Sequence, residues 1–288
     1  MVMVINKLAN KISARKIQIT IGVLWLINGL LQLQPKMMTD KFADKVILPV
    51  ATGQPGIISE PVHFAVNLIL SNPILFDVCF GLIQLTIGLL ILNKKTLKVG
   101  LIASIVWGVG VWIFGEGAGG IFGGHSLLLT GAPGAALIYA LISLGVYPFK
   151  SSAKKPAAWL KYAWLGLWVV SGLLMLWSEV TPLMLSKIVE VMSVGAPHWI
   201  RVIDNHVATW LAAKAKWQLL IAVLIYFMVG LSALAQKNIQ FAGILIGTLI
   251  ALFFWLVGQN MGGYYTGLAT DLNTAPLIIL LGLSVLGG

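Results

Sequence analysis

Eight stretches of this chain are apolar, almost free of charge and long enough to cross a bilayer, and they dictate the solvent in which it folds. They run over 17–34, 74–92, 99–114, 127–147, 157–177, 217–235, 239–258 and 268–286. A helix needs about 20 residues to cross about 30 Å of hydrocarbon. Hydrophobic residues make up 59% of the 288 and charged ones only 10%, more apolar surface than a fold of this length can hide from water. The sequence therefore predicts an all-α integral membrane protein with eight transmembrane helices. Asp77 and Asp271 intrude only near one end of their runs, where an acid is cheapest to place.

The runs fall into two similar halves. A glycine-rich passage after the third run reads Trp112-Ile-Phe-Gly115-Glu-Gly-Ala-Gly119-Gly120. After the seventh run it reads Trp255-Leu-Val-Gly258-Gln-Asn-Met-Gly262-Gly263, 143 residues later. The same offset pairs Leu24-Trp25 with Leu167-Trp168, Gly29-Leu-Leu31 with Gly172-Leu-Leu174, and Ala132-Pro133 with Ala275-Pro276. We read a tandem duplication: a basic leader 1–16, a first four-helix repeat 17–148, a linker 149–159 and a second four-helix repeat 160–288. Four is even, so the second repeat enters from the same side as the first. The repeats are then parallel, about an axis along the membrane normal.

Charge orients the chain. The net charge is +10, but it is sorted by topology. If the N terminus is cytoplasmic, twelve of the 19 basic residues fall inside and all nine acids fall outside. That is the positive-inside bias, with both termini cytoplasmic and the inner face against anionic lipid. The bilayer is the expected partner, and a nucleic acid is not. The first run follows a basic leader at full spanning length without a small-residue cleavage pattern, so it reads as a span rather than a signal peptide. The single cysteine, Cys79, excludes an intramolecular disulfide and reads as packing.

Each half also has a long outer connection, 35–73 and 178–216, too apolar to be a solvated loop. In the second, Trp199, Val202, Ile203, His206, Val207 and Trp210 recur at helical spacing, with Arg201, Asp204 and Asn205 largely off that stripe. Such a helix would lie in the interface as a cap. Residues 42–50 and 61–70 suggest its equivalent.

The segment Gln84-Leu-Thr-Ile-Gly-Leu-Leu-Ile-Leu-Asn-Lys-Lys-Thr-Leu-Lys-Val-Gly100, preceded by a span and an amphipathic connection, resembles the DoxX-like superfamily. These are small four-helix membrane proteins that include a subunit of thiosulfate:quinone oxidoreductase. The second copy would fall at 226–243, with Gly230 matching Gly88, and this chain has Gln84 where the family often has an acid. The resemblance implies membrane redox chemistry with a quinone-like ligand and a membrane or extracytoplasmic redox partner.

The residues suggest where such a ligand could sit. Gly115-Glu-Gly117-Ala-Gly-Gly120 satisfies G-x-G-x-x-G, but it ends a membrane run, so the dinucleotide reading is rejected. The glycines allow either a tight turn with close helix contact or a re-entrant turn lining a pocket. Pro133 and Pro276 shorten the last runs, so 127–131 and 268–274 are expected to be irregular. Irregular backbone at membrane depth is tolerated only when buried in protein or lining a cavity. The candidate ligand-binding residues are thus Glu116, Gly119 and Gly120 with Gln259, Gly262 and Gly263. Glu116 and Gln259 form a pair in which one partner ionises and the other only hydrogen-bonds. Asp77 is a candidate as an acid inside a span, or a snorkelling or capping residue; Asp271 reads as a turn residue. His63 and His206 could bind a metal or hold a haem axially as ligand-binding residues; otherwise they hydrogen-bond at the interface. His125 and His198 read as solvated. No motif for a metal site, hydrolysis or phosphoryl transfer is present. The leading expectation is a quinone-binding component of redox chemistry. The alternatives are a transporter or channel, with Glu116 and Gln259 facing each other across a polar cavity, and a structural or chaperone-like protein with a closed apolar interface between halves.

Overall fold

The computed structural model describes residues 11–124, 126–149, 154–177 and 180–288. The reading made for His125 and the charges counted at Lys7, Lys150 and Glu179 lie outside these. Among the described residues every regular element is helical. The principal helices are α1 (Ala14–Gln32), α2 (Gly56–Ser71), α3 (Pro73–Leu92), α4 (Leu97–Phe114), α5 (Ala135–Gly145), α6 (Leu160–Trp177), α7 (Pro182–Met192), α8 (His198–Ala212), α9 (Gln218–Ser232), α10 (Lys237–Leu256) and α11 (Thr274–Gly287).

Four of them, α3, α4, α6 and α10, are long and apolar enough to cross a membrane. α1 is as long at 19 residues but carries Gln18, Asn28 and Gln32 on its buried side. Large apolar side chains stay exposed along the bundle, among them Leu89, Val106, Leu173, Leu224, Met228 and Leu249. Helices that are apolar all round yet mostly unburied need an apolar solvent.

Packing follows the small residues. α1 lies along α3, where Gly29 meets the Gly81 carbonyl and Gly88 meets the Gly22 carbonyl. An added Cβ at Gly29 would stand 2.9 Å from that oxygen, and one at Gly88 would stand 2.7 Å away. Small residues at such a seam let backbones approach closely. α6 lies along α9, α4 along α5 and α10 along α11. α5 and α11 pack on each other and touch α1 and α6, so the last helices of the two halves occupy the centre. The main core includes Trp25, Tyr139, Ile142, Trp164, Trp168 and Leu281, drawn from both halves.

The two ends of the bundle differ. At one end the Arg15 guanidinium donates to the Ile91 and Leu92 carbonyls, Ala14 N–H to Lys154, and Gly287 lies against Ile12. The basic turns and the described chain termini meet there. The other end is capped by 36–55 with α2, and by α7 with α8, each over its own apolar cluster.

Two expectations are corrected here. α8 forms, but Ile200, Asp204 and Ala208 face inward, while Trp199, Val202, His206 and Trp210 are exposed. The predicted stripe is therefore split: Ile203 and Val207 pack on the apolar cluster beneath, the other four are exposed, and Asp204, expected largely off the stripe, is buried. Asp77 neither snorkels nor caps. It is fully buried and accepts a hydrogen bond from Gln32 Nε2, while Asn72 Oδ1 caps the helix through Leu75 N–H.

Candidate functional site

The glycine-rich turns hold a backbone shape that L-residues resist. Gly117, Ala118, Gly119 and Gly120 all have positive φ, and so do Asn260, Met261, Gly262 and Gly263, 143 residues on. Each run is a short left-handed turn, which costs about 1–2 kcal/mol per residue that carries a Cβ. Close contact explains the choice of glycine at Gly119, where a Cβ would stand 2.0 Å from the Pro133 carbonyl oxygen. Gly134 is similar, since a Cβ there would lie 2.0 Å from a Glu116 carboxylate oxygen.

These turns dock onto the irregular segments before the last helices. Trp112 Nε1 donates to the Pro133 carbonyl at 2.7 Å, and Trp255 Nε1 donates to Leu272 at 2.8 Å. The Glu116 carboxylate accepts from Ala136 N–H at 3.1 Å, and Gln259 Oε1 accepts from Ala275 N–H, also at 3.1 Å. Each thus receives an unpaired amide at the start of a helix. These partners lie 139 residues apart rather than 143. The Ala132-Pro133 and Ala275-Pro276 identity is therefore not a structural equivalence: Pro133 precedes α5, whereas Pro276 lies inside α11. The stretches before α5 and α11 are irregular apart from one short 3-10 turn at Leu128–Thr130, as the sequence predicts.

Glu116 and Gln259 part company in what they face. Gln259 is buried, and its Nε2 donates to the Leu128 carbonyl at 2.9 Å, tying the halves together. It does not line the cavity that Glu116 borders. The two do not face each other across a polar space, the arrangement a transporter reading expects.

That cavity measures about 800 Å³ and lies in the first half, between α1, α2, α3, α4 and α5. Residues 268–271, Asn273 and Gly262 of the second half complete its wall. Its polar end gathers Glu116, Asp271, Tyr139 and Asn28. Asn28 Nδ2 donates to Tyr139 Oη at 3.0 Å, and Asp271 accepts from Thr270 Oγ1 and Asn273 N–H. Burial, together with the nearby charge of Asp271, raises Glu116 from its ordinary 4.5 to about 8; the Ala136 and Ala135 amides pull the other way. Glu116 therefore holds its proton at neutral pH. Two buried polar atoms of the lining have no partner: Asn28 Oδ1, an acceptor, and Trp107 Nε1, a donor. The lining contributed by α2 and α4 is apolar and includes Phe64 and Phe114, both exposed, whose ring centroids are 6.4 Å apart.

Of the residues singled out from sequence, Glu116, Gly119, Gly120 and Gly262 meet at this cavity. Gln259, Gly263 and Asp77 lie outside its lining. His63 and His206 are exposed, on helices that cap different halves, and His206 Nδ1 bonds to the Val202 carbonyl of its own helix. Neither lines the cavity, so they form no axial pair for a haem. Among the described residues no group of three or more His, Cys, Asp or Glu could hold a metal. Sequence reasoning missed Asn28, Tyr139 and Trp107, which look like ordinary span residues, and read Asp271 only as a turn former. No family model, curated protein or solved structure matches this chain.

Proposed function

We propose that this is a multi-pass membrane protein of two four-helix repeats, with both termini on the basic, cytoplasmic side. We further propose that its first repeat binds a quinone-like ligand beside Glu116. The observation that carries this reading is the cavity's polarity. Its lining runs from apolar side chains of α2 and α4, the exposed Phe64 and Phe114 among them, to an unpartnered acceptor, an unpartnered donor and a carboxyl that holds its proton. A molecule with a hydrocarbon tail and a carbonyl-bearing head fits that gradient. The DoxX-like layout supports the same class.

Such a group supplies coupled uptake of electrons and protons. The protein's part is positional. Trp107 Nε1 would donate to a head-group oxygen, and Asn28 Oδ1 would accept from a hydroxyl. Glu116 would hold or release a proton at its carboxyl, with Asp271 setting how readily. Electrons would come from a membrane or extracytoplasmic partner at the capped end.

Gently solubilised protein should yield a stoichiometric quinone in organic extract, and a short-chain quinone should raise its melting temperature. The double substitution Asn28→Leu and Trp107→Phe should abolish that rise. A quinone-free extract with no melting shift would overturn the proposal.

A further inference from the structure

A second cavity, of about 360 Å³, opens in the other half between α6, α7, α8, α9 and α10. Its walls echo the first. Met175 stands 143 residues after Gln32, and Phe254 after Val111, while Tyr226 stands 142 after Gln84. The seams behind them match that shift: Gly88 packs on Gly22 and Leu26 of α1, and Gly230 packs on Leu165 and Val169 of α6. What differs is polarity. Gln32 is replaced by Met175, and Gln259, the counterpart of Glu116, is withdrawn into the core. The polar residues left in the lining are Lys214, Gln218 and Tyr226.

Lys214 sits in the link between α8 and α9, its ammonium 4.5 Å from the centroid of the Trp210 ring. The Gln218 Oε1 atom is occupied by Ala215 N–H. Trp210 and Trp217 are exposed beside the opening, the placement of aromatic side chains at a membrane–water boundary. An apolar groove with a cation at its rim complements a hydrocarbon chain with an anionic head.

We propose that this second cavity seats part of an acyl chain of an anionic phospholipid, with the Lys214 ammonium on its phosphate. The proposal rests on the membrane reading and is independent of what the first cavity binds. The two sites would then be diverged copies, one kept polar for chemistry and the other turned over to a structural lipid.

The test is native mass spectrometry after incubation with phosphatidylglycerol or phosphatidylcholine vesicles and release into mild detergent. One phosphatidylglycerol per chain should be retained, preferred over phosphatidylcholine by roughly fivefold, the scale of one basic residue at an anionic surface. Lys214→Gln should erase that preference. Ala222→Phe, which fills the groove, should remove the bound lipid. Equal retention of both lipids by the wild type, or unchanged preference in Lys214→Gln, would overturn the proposal. So would undiminished lipid in a folded Ala222→Phe. Lys214→Gln changes only a half-buried link residue, so it decides the matter even if Ala222→Phe fails to fold. The readout is lipid rather than quinone, so failure here and failure of the quinone reading are told apart.

Discussion

Glu116 and Gln259 perform the same backbone task, yet their side chains are not interchangeable. The bond Glu116 makes to the backbone is one it accepts, so Glu116→Gln keeps the bond from Ala136 N–H, just as Gln259 accepts from Ala275 N–H. Gln259 also donates to the Leu128 carbonyl. Gln259→Glu would bury a charge against that carbonyl, and we expect a loss of about 2–4 kcal/mol in stability by denaturant titration. The pH dependence runs the other way at Glu116. Its carboxyl is raised from 4.5 to about 8, so the folded chain binds more protons than the unfolded one between those values. The associated stability is complete below about pH 4.5 and is lost as pH climbs towards about 8. Melting curves should therefore show Glu116→Gln gaining on the wild type across that window and levelling off above it; parallel curves would remove the proton from the account. Asp204 is a second case. It is fully buried, both carboxylate oxygens lack a partner, and burial raises it from 3.8 to about 6. Asp204→Asn should stabilise the protein above about pH 6 and much less below about pH 4.

The left-handed turns are the elements on which both halves depend. Gly119 and Gly120 share the strained conformation, with φ of 68° and 70°, but only Gly119 is pressed against backbone. Gly119→Ala should cost about 2–5 kcal/mol from strain and overpacking together. Gly120→Ala has open space around its Cβ and should cost about 1–2 kcal/mol from strain alone. Equal effects in a melting series would show that docking on Pro133 contributes nothing. The glycine clusters were visible as turns in the sequence, but their handedness was not. Asn260 is a residue type that enters this region readily, but Ala118 and Met261 adopt positive φ without any signal of their own. α8 shows a different limit. Its apolar stripe forms at the predicted spacing, but of its members only Ile203 and Val207 pack inward, and Asp204 is buried beside them. In a membrane, lipid competes with protein for apolar surface, so hydrophobic spacing does not say which side of a helix turns inward.

Across the whole molecule, charge and cavities divide the labour. Lys95 and Lys155 lie at the basic end, whereas Lys41 and Lys216 lie at the capped end. In a Cys79→Ser background, cysteines at 95 and 155 should react with an impermeant maleimide only after the cytoplasmic face is opened. Cysteines at 41 and 216 should react in intact cells. The reverse pattern would invert the proposed orientation. The sequence alone was enough for the helical class, the near-positions of the apolar helices, the broken approach to the last one in each half, and the contrast between Glu116 and Gln259. Those properties are written in local composition, and local composition decides solvent and helix length. Only the tertiary structure brought Asn28, Trp107, Tyr139 and Asp271 to Glu116, and left Gln259, Asp77 and both histidines outside. Which residues share a cavity depends on the rotation and register of helices far apart in the chain. Contacts at that range, including the four-residue offset before the last helices, leave no period in the sequence to be read.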